Sequence, residues 1–270
     1  MILTPRQFLG RSLVAAILAG LPLRGAEEAW QKMGQFEFQA AFDVLSRTGK
    51  PINRLESVGA ALAVLNRQPK TAGNTAEAEA RLSAVTRENA RDDAGLWARY
   101  FSARIEQWHR TPTQPVAAAT EYRALIAEHP SHAAAQQALV KLALLSIYEP
   151  AVEPSRDAGL LAAAELLTRA TDPDVAVGLH LLLGRAMLYF RKSEPDALTH
   201  LEAALRGGIA NRQTRASTLY SSAELALALG RRESALLHFR TFLTENQRDQ
   251  RVNYVREQVA ALGGGKEPAK

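Results

Sequence analysis

The chain has 270 residues, with 33 basic against 28 acidic side chains and no cysteine; hydrophobic residues make up 47% of it but aromatics only 6%. Without cysteine there can be no disulfide, no thiol nucleophile and no thiolate metal site. The apolar excess is Ala and Leu, strong helix formers, whereas strands draw on Val, Ile, Thr and aromatics; with no Asn-Gly or Asp-Gly hairpin turn and no strictly alternating run beyond about five residues, no sheet is expected.

Residues 1–26 stand apart. Arg6 and Arg11 precede an apolar run, Ser12–Leu23, and small residues Gly25-Ala26 follow it before the acidic pair Glu27-Glu28. A basic flank, a short apolar core and a small-residue end make a bacterial-type secretory signal peptide, so the expected location is periplasmic or secreted. The 12-residue run would rise only about 18 Å as a helix, short of a bilayer core of about 30 Å. An uncleaved membrane anchor or a buried N-terminal helix are the competing readings, and Arg24 sits where a cleavage site wants a small residue. Leu21 occupies the place of a lipidated cysteine, so no thioether anchor can form. This segment holds Arg6, Arg11 and Arg24 and no acid, which leaves 30 basic against 28 acidic residues from Glu27 onward. A net charge near +2 gives no electrostatic case for nucleic acid, and none is expected as a partner.

From Glu27 to 262 the pattern predicts one helical repeat domain, followed by a disordered tail over 263–270. An N-terminal helix over Glu27–Ser46 carries Trp30, Met33, Phe38, Phe42 and Leu45, and Thr48-Gly49-Lys50-Pro51 stops it. Five hairpins follow: Ile52–Arg67 with Thr75–Glu88, Asp93–Arg110 with Pro115–Glu128, Ser131–Tyr148 with Asp157–Ala170, Pro173–Arg191 with Glu194–Arg206, and Thr214–Leu229 with Arg232–Glu245. Pro115 suits a first helical turn, and Gly230 a helix stop. A more polar helix, Asp249–Leu262, closes the array, as a helical stack requires at its open end.

The second helices share a seam. Ala118–Tyr122–Leu125 places a small, a large and an apolar residue at steps of 4 and 3, on one helix face. Ala163–Leu167–Ala170, Ala197–Leu201–Ala204 and Ala235–Phe239–Phe242 repeat it, and Ala78–Leu82–Val85 is a weaker copy. The seams recur after 40, 45, 34 and 38 residues, the spacing of a helical solenoid. Leu55, Val58, Gly59 and Leu62, then Ala118, Tyr122, Leu125 and Pro130, fall on the first- and second-helix positions of a tetratricopeptide repeat, and Leu183-Gly184 with Tyr189 is a looser copy. The chain thus resembles the tetratricopeptide family over about Pro51–Glu245. The resemblance implies an all-α αα-hairpin solenoid, a right-handed superhelix of about five helix pairs plus terminal helices. The longer steps leave Sel1-like and other helical-hairpin arrays open.

Three consecutive first helices each carry a charge near the middle: Lys141 in Ala133–Tyr148, Arg185 in Val175–Phe190, Glu224 in Ala216–Leu229. In the family that this chain resembles, first helices line a concave groove. Lys141, Arg185, Tyr189, Tyr220 and Glu224 are therefore the candidate partner-binding residues, for a protein or peptide. The competing reading is structural: each charge snorkels from a packed helix, or Arg185 pairs with Glu224 across repeats. The family's carboxylate clamp does not carry over, since Ala60 stands where its set would need a polar residue.

No catalytic constellation appears. The six histidines show no His-Glu-x-x-His spacing, and His129 and His132 read as solvated turn residues. Gly263-Gly264-Gly265-Lys266 lacks the strand and helix of a phosphate loop. Trp97, Tyr100, Phe101 and Trp108 have helical spacing and read as core. No metal or other cofactor is expected. The expected function is a non-enzymatic interaction scaffold of the bacterial cell envelope; the alternative is an accessory or α-superhelical part of an envelope enzyme, such as a peptidoglycan-active one.

Overall fold

The computed structural model describes residues 27–46 and 53–263. The signal-peptide reading of 1–26, the predicted stop at 48–51 and the tail beyond Gly263 lie outside the described residues. Among those described there are thirteen α-helices and no strand, an αα-hairpin solenoid as expected.

The helices are α1 (Glu27–Gly34), α2 (Phe38–Ser46), α3 (Arg54–Asn66), α4 (Ala72–Glu88), α5 (Asp93–Trp108), α6 (Pro115–Glu128), α7 (Ala133–Tyr148), α8 (Arg156–Leu167), α9 (Pro173–Tyr189), α10 (Glu194–Gly207), α11 (Arg212–Ala228), α12 (Arg232–Glu245) and α13 (Val252–Gly263). Short polar side chains start many of them. Asn53, Thr71, Asp92, Ser155, Asp172, Ser193 and Asn211 each accept a hydrogen bond from a backbone N–H of the first turn, which satisfies one otherwise orphaned donor. Pro115 and Pro173 occupy first-turn positions where no N–H is needed.

The chain divides into two compact units, residues 1–138 and 139–270, the division falling within α7. In the first unit each helix from α1 to α6 packs on its sequence neighbour, and the first helices α3 and α5 also touch. In the second, α8 to α13 pack in the same sequential way. The seams are the glue. Ala78, Leu82 and Val85 are buried, as are Ala118, Tyr122 and Leu125, Ala197, Leu201 and Ala204, and Ala235, Phe239 and Phe242. The small first residue admits the neighbouring helix, and the large middle residue fills the space between. The Ala163 seam is shorter than expected: Ala163 is buried, but Leu167 is half-buried and α8 ends there, before Ala170.

Gly184 on α9 marks a close approach to α10 in the second unit. A Cβ there would lie 2.8 Å from Leu201 Cδ2 and 3.1 Å from the Ala197 carbonyl oxygen, so only glycine lets α10 sit this near.

The expected single helix over Glu27–Ser46 is instead two. The Gln35, Phe36 and Glu37 N–H groups close back on the carbonyls of Gln31, Lys32 and Met33, and Phe36 adopts φ 64°, in the left-handed region. The reason lies in spacing: Trp30 to Met33 is a step of 3 and Phe38 to Leu45 continues in steps of 4 and 3, but Met33 to Phe38 is 5. One straight helix could not turn both apolar sets inward; the break lets Trp30, Met33, Ala41 and Leu45 all be buried. A sixth short pair, α1 with α2, thus precedes the five expected.

Candidate functional site

In the second unit, α7, α9, α11 and α13 bring a row of tyrosines and charged groups together. Tyr148 at the end of α7 packs its ring 5.6 Å from Phe190, and Phe190 meets Tyr189 edge-on at 4.9 Å. Arg156 stacks over the Phe190 ring at 5.0 Å. Tyr189 itself is 58% exposed. On the neighbouring turn of α9, Arg185 reaches α11, its Nη2 donating to Thr218 Oγ1 at 3.5 Å. Burial holds the Arg185 guanidinium below its ordinary pKa, an effect partly offset by Tyr148. Burial also pushes the Tyr148 phenol up, so it remains a hydroxyl donor at neutral pH.

The row continues on α11. The Tyr220 and Tyr254 rings lie 6.1 Å apart, and the Tyr254 hydroxyl donates to the Glu224 carboxylate at 3.2 Å to one oxygen and 3.4 Å to the other. Arg251 lies 5.1 Å over Tyr220 and 5.0 Å over Phe242, and its guanidinium forks onto both Asp249 oxygens. Tyr254 is 41% exposed.

Of the five sequence-derived candidates, four join this row: Arg185, Tyr189, Tyr220 and Glu224. Lys141 does not. It is 2% exposed, inside α7's packed side, because α7 is apolar around most of its circumference and leaves no water-facing slot at that position. The ladder of three charges on one face is therefore not formed. Nor does Arg185 pair with Glu224: Arg185 turns to Thr218 and Glu224 to Tyr254. Sequence reasoning missed Tyr148, Arg251 and Tyr254. The signal was present for Tyr254, which lies within the last amphipathic helix at a position the buried Val252 and Val255 leave outward.

Other histidine positions acquire partners. His132 is half-buried, hydrogen-bonded to Asp93 at 2.9 Å and set against the Trp97 ring, rather than being a solvated turn residue. His238 and Ser234 both meet Glu202 Oε1, at 3.1 and 2.6 Å. Trp97, Tyr100 and Phe101 are core as expected, while Trp108 is exposed. Among the described residues no group of three or more His, Asp or Glu side chains could hold a metal ion, and no helix is long and apolar enough to cross a membrane.

The exposed rings offer flat apolar surface, the phenols and Arg185 offer donors, and Glu224 an acceptor, all from alternate helices. That inventory suits a polypeptide backbone and side chains. No protein-family profile matches the chain, and no curated protein matches it.

Proposed function

We propose that this chain is a non-enzymatic, tetratricopeptide-like scaffold of the bacterial cell envelope that holds a protein or peptide partner on the first-helix face of its second unit. The observation that carries the reading is the row Tyr148, Arg185, Tyr189, Tyr220, Glu224 and Tyr254, in which Tyr189 and Tyr254 are exposed and the other four half-buried beside them. Tyr and Arg are the residue types that dominate protein interfaces, because they bury much area for few rotatable bonds. The solenoid supplies the support, since each hairpin fixes the next through its buried seam. Export rests on the basic, apolar and small-residue segments of residues 1–26.

The test is affinity capture from the native envelope with residues 27–270 as bait, partners being identified by mass. Tyr189→Ala with Tyr254→Ala is expected to lose the specific partner while the melting temperature holds. Leu161→Ala with Leu237→Ala, exposed on second helices, is expected to retain it. Loss in the second pair and retention in the first would place binding elsewhere. The intact mass of the native protein tests export: a chain beginning after Ala26 supports it, and Met1 retained in a cytoplasmic fraction rejects it.

A further inference from the structure

In the first unit, on the α5–α6 hairpin, a group of polar side chains has too many donors and too few acceptors. Tyr100, Arg104 and Gln107 follow one another on α5 at steps of 4 and 3, and so share a face. Across from them on α6 is Tyr122, its ring 5.9 Å from that of Tyr100. Both tyrosines are fully buried and Gln107 is 5% exposed. The acceptor of the set, Gln107 Oε1, is taken by the Tyr122 hydroxyl at 3.0 Å. Arg104 Nη1 donates to the Tyr100 hydroxyl at a long 3.5 Å. That leaves Arg104 Nε and Gln107 Nε2 buried with no hydrogen-bond partner, and the Tyr100 proton with no acceptor among the described residues. Turning the Gln107 amide over would satisfy its nitrogen on Tyr122 but orphan its oxygen instead.

The charges do not balance either. Arg104 has no carboxylate partner among the described residues, although a buried guanidinium ordinarily has one. Lys70, exposed in the α3–α4 loop, and Arg104 both lie near enough to His109 to depress it; after burial they are the causes that hold its pKa at about 4. Burial keeps the Tyr100 and Tyr122 phenols protonated well past neutrality, so neither can supply negative charge. A bridging water would accept hydrogen bonds but bring no charge.

We infer that the Tyr100–Arg104–Gln107 face of α5 is a binding site for a small oxyanion, a phosphate or a carboxylate. The guanidinium fork and the Gln107 amide are the groups that recognise planar or tetrahedral oxygen sets, with the Tyr100 hydroxyl as a third donor. Lys70 adds positive field without direct contact, while His109, its pKa held at about 4, stays neutral there. This site lies in the first unit and does not depend on the partner-binding reading of the second.

The experiment measures the melting temperature of the 27–270 chain in sodium phosphate, sodium acetate and sodium chloride at matched ionic strength, with isothermal titration of the anion that stabilises. Phosphate or acetate is expected to raise the melting temperature above the chloride value, saturably, as a ligand of the folded state must; which of the two does so assigns the anion. Arg104→Met is expected to weaken binding by roughly tenfold or more. Should that variant not fold, Lys70→Ala, at an exposed loop position, is expected to weaken it less but measurably. No anion-specific rise in the wild type means that water alone fills the site and overturns the inference. A rise that survives Arg104→Met, or that persists unchanged in Lys70→Ala when Arg104→Met does not fold, is general surface binding and overturns it as well.

Discussion

His180 on α9 and His200 on α10 face each other with their Nδ1 atoms 2.9 Å apart. At that separation one nitrogen must donate and the other accept, so the contact needs a neutral imidazole on at least one side. Burial lowers both pKa values from the ordinary 6.5; Arg206 lowers His180 further, and His180 lowers His200 while Asp196 acts the other way. His109 shifts in the same direction, to about 4.

Acid is therefore expected to weaken the fold. A histidine depressed in the folded state contributes stability above its unfolded value of about 6.5 and loses it as pH falls through the lower folded value. Melting temperatures taken from about pH 8 to pH 5 are expected to fall below pH 6.5. His200→Leu is expected to flatten that fall by removing one partner of the pair. An identical slope in wild type and variant would mean that the pair does not govern it.

The Gly184 contact makes a second expectation. Gly184→Ala drives a methyl against Leu201 and the Ala197 carbonyl, and Ala197→Leu fills the same buried space from the other side. Each is expected to destabilise by about 1–3 kcal/mol by overpacking, read from urea melts. Neutral behaviour in both would mean that α9 and α10 can separate without cost.

Much of this architecture was legible because the seams obey one rule. A small residue followed at 4 and 7 by further apolar ones can mean little else than a helix pressed on a helix, and apart from Leu167 and Ala170 the residues it names, from Ala78 to Phe242, are buried. Spacing also held the clue to the break at Gly34–Glu37, in the step of 5 between Met33 and Phe38. The charged residues were less legible. Periodicity places Lys141, Arg185 and Glu224 near the centres of their helices but does not fix rotation relative to the next hairpin. That rotation depends on loops of different length, while Lys141 is inside because α7 is apolar around most of its circumference. Pairings between hairpins, such as Arg185 with Thr218 or Tyr254 with Glu224, depend on the same rotation and left no trace in local spacing.

A double-mutant cycle reads that rotation directly. Arg185→Met and Glu224→Gln are expected to be additive within about 0.5 kcal/mol, since the two side chains serve different partners. Glu224→Gln with Tyr254→Phe is expected to couple by about 0.5 kcal/mol or more, because the phenol donates to a charged carboxylate. Coupling in the first cycle and none in the second would restore the ion pair expected from the sequence.

The closing helix offers the last test. Val252 and Val255 are the buried residues of α13, a small apolar anchor for twelve residues. Arg251, just before it, adds a second hold: its guanidinium lies over Tyr220 and Phe242 while it forks onto Asp249. Side-chain hydrogen bonding to Arg251 keeps the Asp249 carboxyl below its ordinary pKa, so the pair stays charged at neutral pH. Lysine would keep the positive charge but lose the planar fork and the stacking. Arg251→Lys is expected to cost about 1 kcal/mol and to act locally. Amide hydrogen exchange should quicken across Val252–Gly263 while α9 to α11 keep their protection. Unchanged exchange in α13 would show that the two valines hold the helix alone; faster exchange throughout the unit would show that the cap and the stack open together.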